Sequence, residues 1–207
     1  MSQLALPLVI PETSETEFLV SDSNARAVQM LERWATWPVM AGLLVGPRKS
    51  GRSLLARIFA SKSEGTMIDD AERVSEAEIF HAWNRAQAEH RPLLIVADAA
   101  PPAWGVKLAD LRSRLSATPV MTIEPPDDAL VSLLLARFFE RRLLSAKPDL
   151  IAWLARRVER SHLALIRVAD ALESDALERR SPRLSIPAAR ATLASTSLLT
   201  EPESERA

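Results

Sequence analysis

A parallel α/β sheet followed by an all-helical block is the fold class the sequence predicts, on three observations. Four short apolar runs, at 41–46, 66–68, 93–97 and 120–123, alternate with amphipathic stretches in the first 125 residues. That is the pattern of strands covered by helices on both faces. Beyond Pro125-Pro126 the apolar spacing is helical throughout. Finally, LLVGPRKSGRSLLARIFA (43–60) sets a glycine-bearing turn between the first apolar run and a helix, the strand–loop–helix setting that a phosphate loop requires.

The elements follow in order. SDSNARAVQMLERWATW opens on cap residues and carries Ala27, Leu31 and Trp34 at helical spacing, which predicts a helix over 23–36. AGLLVG is a buried strand, and Arg52–Ser61 a helix. Thr66–Ile68 is a brief strand ending on Asp69 and Asp70, with a helix from Glu76 to His90 after it. Leu93–Ala97 is a buried strand closed by Asp98 and a proline pair. A short helix carries Arg112 and Arg114, and Val120–Ile123 is the last strand. The helical block spans 127–195, and the polar tail 196–207 reads as disordered.

Composition limits the function classes. The 207 residues carry a net charge of −1, so no global basic field draws the chain onto nucleic acid, and strong direct nucleic-acid binding is not expected. There are no cysteines, which rules out disulfides and cysteine-held zinc, and the three histidines lack metal-ligand spacing. No run reaches the apolar length of a membrane span and the start lacks a signal peptide's basic residues, so a cytoplasmic location is expected.

The loop pattern G-x-x-x-x-G-K-[ST] is met by Gly46, Gly51 and Ser53, with Pro47, Arg48, Lys49 and Ser50 between the glycines, but Arg52 stands in the lysine position. In such a loop, backbone N–H groups and a helix N-terminus hold phosphates, and the Ser/Thr hydroxyl ligates magnesium. Arginine keeps the charge in a larger, planar form, and Pro47 removes one donor. The alternative is an ordinary glycine turn before a helix. Asp69 and Asp70 could hold magnesium through water and polarise a nucleophile, with Ser53 and Asp69 as its ligands; the plainer reading of Asp70 is a helix cap. Asp98 completes the candidate nucleotide contacts. Arg112 and Arg114 read either as a solvated helix face or as an arginine finger that neutralises charge at a neighbour's transferring phosphate.

FLVSDSNARAV, LLVGPRKSGRSLL, MIDDAERV, LLIVADAAPPAW, LRSRL and IEPPDDAL, in that order, resemble the AAA+ core of the bacterial replication initiator DnaA. With no DNA-binding domain after residue 195, the chain looks like the Hda-type regulatory inactivators of DnaA, and the similarity spans about residues 17–195. The resemblance implies an AAA+ P-loop core over 17–126 and a helical lid over 127–195. It implies ADP, or ATP, with magnesium as the ligand, and Arg114 as the finger acting on DnaA in trans. QLALPL, Gln3 to Leu8, resembles the family's peptide for the β subunit of the polymerase sliding clamp, ahead of a linker that ends at residue 16. In such a peptide Gln3 hydrogen-bonds at a pocket mouth, Leu4, Leu6 and Leu8 fill apolar depressions, and Pro7 limits unbound freedom. Homo-oligomers through AAA+ faces are a further implied partner.

Three departures qualify the resemblance. Arg52 replaces lysine. The gap from Ser61 to Thr66 leaves no room for one strand–helix unit, so a reduced sheet of about four strands is expected. Leu163 falls where the family's lid carries a nucleotide-sensing arginine, with Arg160 and Arg167 a turn either side. Autonomous hydrolysis is therefore not expected. The rival readings are a self-sufficient AAA+ ATPase using Asp69 and Asp70, and a non-catalytic scaffold on the clamp.

Overall fold

The computed structural model describes residues 18–194, 196, 198 and 199. The peptide Gln3–Leu8, its linker and the last eight residues lie outside the described residues. The chain divides into two compact units: one holds 24–46 and 51–123, the other holds 124 onward together with Ser21–Ser23 and Pro47–Ser50.

The first unit is built on four parallel strands, β1 (Ala41–Val45), β2 (Thr66–Ile68), β3 (Leu93–Ala97) and β4 (Val120–Thr122), in the order β2-β3-β1-β4. The reduced sheet is as expected. Every residue of β1 and β3 is buried because successive side chains go to opposite, equally covered faces. Leu44, Leu94, Val96 and Met121 join one core with α1 (Asp22–Glu32) and α2 (Arg52–Ser63). Leu43, Val45, Ile95 and Ala97 join the other with α3 (Glu76–Glu89) and α4 (Ala109–Ala117).

The helix expected over 23–36 ends earlier, at Glu32, and a separate 3₁₀ turn covers Trp34–Thr36. Trp37 donates its indole N–H to the Met30 carbonyl (3.0 Å) and the Thr36 hydroxyl donates to the Arg33 carbonyl (2.8 Å), which closes the helix end.

The second unit packs α5 (Asp128–Arg141), α6 (Pro148–Ala155), α7 (His162–Glu178) and α8 (Ile186–Ala194) around Leu135, Phe139, Leu154, Leu165 and Leu172. Leu198 and Leu199 pack on this core. Asp127 caps α5 by accepting from the Leu130 N–H (2.7 Å) and also accepts from the Ser23 N–H (3.1 Å). Burial alone would raise its carboxyl; the hydrogen bonds from Leu130, Ser21 and Ser23 outweigh that and hold it below the usual value. Ser161 caps α7.

His162 opens α7, almost fully buried, with no hydrogen-bond partner for Nδ1 among the described residues. Burial pushes its pKa down from the ordinary 6.5, and a cation is also disfavoured at a helix N-terminus. The folded state therefore keeps His162 neutral while the unfolded chain takes up a proton, so stability falls as pH drops below about 6.5. Asp127 acts in the same direction at lower pH, since a carboxyl with a depressed pKa loses its contribution as it protonates. Thermal melts at pH 7.5 and about 5.5 should show a lower Tm at the acid end, and His162→Gln should reduce that drop. An equal drop in both proteins would remove His162 as its source.

Candidate functional site

The loop leaves β1 at Gly46, where a Cβ would meet the Ile123 carbonyl oxygen at 2.8 Å, so only glycine allows this approach to the sheet. Pro47 to Ser50 turn back on themselves, with the Ser50 N–H donating to the Pro47 carbonyl (3.2 Å) and Lys49 in the left-handed region at φ 66°. Gly51, at φ 88°, stands just before α2 as its N-cap. No side chain caps the helix there, so its first N–H groups are open to an anion. The hydroxyls of Ser50 (buried) and Ser53 (half-buried) make no hydrogen bond among the described residues. Arg48 and Lys49 are exposed.

Arg52 does not reach into this loop. It is 8% exposed, and its guanidinium donates to the Ala97 carbonyl and, at 2.6 Å, to Asp98 at the end of β3. Arginine meets the two acceptors from two nitrogens of one rigid plane, whereas lysine would have to meet both from a single nitrogen on a flexible stem. Asp98 is fixed in turn, because its N–H and that of Ala99 donate to the Glu72 carboxylate. Sequence reading missed Glu72; the available signal was an acid three residues past Asp69, at the end of the neighbouring strand.

Asp69 and Asp70 are exposed at the end of β2, an edge strand that pairs with β3 alone. Two strand spacings, about 10 Å, separate β2 from β1. Asp69 accepts from the Asp70 N–H (3.0 Å), and Asp70 precedes a short 3₁₀ turn without capping it through its side chain. Among the described residues no three acidic or histidine side chains gather to hold a metal. Magnesium that arrives with phosphates needs only one or two protein oxygens, and Ser53 and Asp69 remain available for that role.

Arg114 is half-buried, which departs from the solvated helix face that was one of its two readings. Its Nε–H donates to Asn84 Oδ1 (2.9 Å), Nη1 donates to the Asp110 carbonyl (3.3 Å), and the guanidinium lies over Phe80 (4.3 Å) and Trp83 (5.3 Å). Leu111 and Leu115 face the core, and the aromatic face of α3 captures Arg114. Arg112 is exposed and borders a groove lined by Trp104, Val106 and Val120. The entry to α4 is pinned by Glu76, which accepts from the Lys107 (2.9 Å) and Leu108 (2.5 Å) N–H groups. Those bonds hold its carboxyl below the usual value. In the helical unit, Leu163 is 40% exposed at the place matched to the sensing arginine, and Arg160 pairs with Asp128 (2.7 Å).

No protein-family model matches the chain, and no curated protein sequence matches it. Solved structures do. Domain III of the Thermotoga maritima replication initiation protein DnaA superposes with a TM-score of 0.71 at 16% identity, covering 86% of this chain and 93% of that one. The Thermotoga maritima RuvB Holliday junction branch migration motor gives 0.60 at 15%, covering 83% and 66%. The replication initiator DnaA bound to AMPPCP and single-stranded DNA gives 0.59 at 14%, covering 79% and 66%. No described helix is long and apolar enough to cross a membrane. At these identities the likeness is one of fold: the chain has the AAA+ P-loop fold of DnaA domain III and RuvB.

Proposed function

We propose that this protein is a replication regulator that docks on the sliding clamp through Gln3, Leu4, Leu6, Pro7 and Leu8 and promotes hydrolysis of DnaA-bound ATP in trans. One observation carries the reading: the cation in the loop's lysine position is Arg52, and it is spent on Ala97 and Asp98 within its own unit. A loop whose charge is committed to the fold can cradle ADP on the backbone N–H groups at Gly46 and Gly51–Ser53. It lacks the mobile lysine that follows phosphate charge during turnover. The AMPPCP complex of the initiator supports a nucleotide as the ligand class. Arg114 supplies the complementary part, a guanidinium with Nη2 left without a hydrogen bond among the described residues and therefore open to a partner's phosphate. Docking on clamps loaded on new DNA raises the local concentration of the regulator near the initiator.

ATP turnover tests the reading directly. DnaA should hydrolyse ATP faster with this protein and loaded clamp than without, while the isolated protein turns over little. Turnover by the isolated protein at the rate of the mixture would establish the self-sufficient ATPase instead. Replacing Gln3, Leu4 and Leu6 with alanine should abolish clamp binding in calorimetry and leave the Tm unchanged. Undiminished affinity in that variant would remove the clamp role.

A further inference from the structure

We infer that Asn84, together with the rings of Phe80 and Trp83, is a positioning residue that presents the Arg114 guanidinium for catalysis in trans; the inference rests on the proposed trans-hydrolysis reading. Phe80, Trp83 and Asn84 stand at i, i+3 and i+4 on α3, which places them on one helix face. The two rings contact the guanidinium, while Asn84 Oδ1 takes the Nε–H at 2.9 Å. The platform is itself anchored to the helix that carries Arg114. The Trp83 indole N–H donates to the Thr118 hydroxyl (3.1 Å), which donates to the Arg114 carbonyl (2.9 Å).

The chemistry of the acceptor matters. A carboxylate in place of Asn84 would also accept the Nε–H but would cancel the positive charge that a partner's phosphate needs. The neutral amide orients the fork and leaves its charge intact. With Nε and Nη1 occupied, the free Nη2 has a fixed direction, so less ordering entropy is lost when the partner binds.

The test measures DnaA ATP turnover on loaded clamp with Asn84→Ala, Asn84→Asp and Arg114→Ala, alone and combined, varying the concentration of this protein. Asn84→Ala should lower the maximal stimulated rate about tenfold, the scale of a lost charge-assisted hydrogen bond, with the half-saturating concentration little changed. Asn84→Asp should lose rate to a similar extent although its Tm is at least that of the native protein, an outcome that a merely structural role would not give. In the Arg114→Ala background neither change at Asn84 should have a further effect. Full stimulation by Asn84→Asp and Asn84→Ala, alongside a crippled Arg114→Ala, would overturn this inference and leave the finger role standing. Full stimulation by Arg114→Ala would overturn both.

Discussion

Arg114→Ala is expected to lose most of the stimulation of DnaA-bound ATP hydrolysis in a reconstituted assay with loaded clamp. A guanidinium supplied to a neighbour's transferring phosphate is worth about 10³–10⁵ in rate in characterised GTPases, so even the low end leaves a signal near background. The variant should still bind the clamp. Its Tm should fall by a few degrees, because the side chain removed lies on Phe80 and Trp83, and such contacts are worth about 0.5–1 kcal/mol at exposed sites. Arg114→Lys should recover little: an ammonium on a flexible stem cannot donate to Asn84 and present a second donor in one plane. Arg112→Ala should have a smaller effect on rate than Arg114→Ala, since no side chain is seen to fix its direction among the described residues. Full stimulation by Arg114→Ala would place the trans-acting group elsewhere or remove it.

The strands were the most legible part of the chain. Thr66–Ile68 and Leu93–Ala97 are bounded by Gly65, Pro92 and acidic residues, and each apolar run is too short for a helix. The shortened sheet was legible for the same reason, since the gap from Ser61 to Thr66 is a matter of chain length. The end of α1 was not, because the bond from Trp37 to the Met30 carbonyl interrupts a periodicity that continues in sequence through Trp34. At the loop, the glycines could be read from spacing, but the partners of Arg52 could not. Ala97 and Asp98 lie 45 and 46 positions away, and only the pairing of β3 beside β1 brings them to α2. Arg114 fails by the same logic: periodicity on α4 says which residues avoid the core, and nothing about an aromatic face on α3. Asn84 lies within the helix read from Glu76 to His90, and the sequence around it carries no local sign of its partner.

Those partners make the second large effect a matter of the fold as much as of the ligand. Arg52→Ala should unfold well below the native protein. The substitution strips the Ala97 carbonyl of its side-chain donor, at about 1–3 kcal/mol for an unsatisfied buried group, and leaves a cavity beside β3. Asp98 adds less, because it is 42% exposed and water replaces its partner. A combined loss of about 2–4 kcal/mol corresponds to a Tm drop of about 5–15 °C for a chain of this size. Arg52→Lys should lie between, since a flexible ammonium holds the carbonyl and the carboxylate less firmly from one nitrogen than the guanidinium does from two. It should also bind ADP more tightly in calorimetry than the native protein, because a lysine freed from one of those contacts can swing toward the phosphates held at Gly46 and Gly51. Arg52→Ala, with no cation at that position, should show no such gain. If Arg52→Lys instead weakens ADP binding, the guanidinium contributes to the nucleotide site from its place against Ala97 and Asp98. The loop would then have been rebuilt around arginine, with its ligand charge supplied through a fixed fork in place of a mobile point charge.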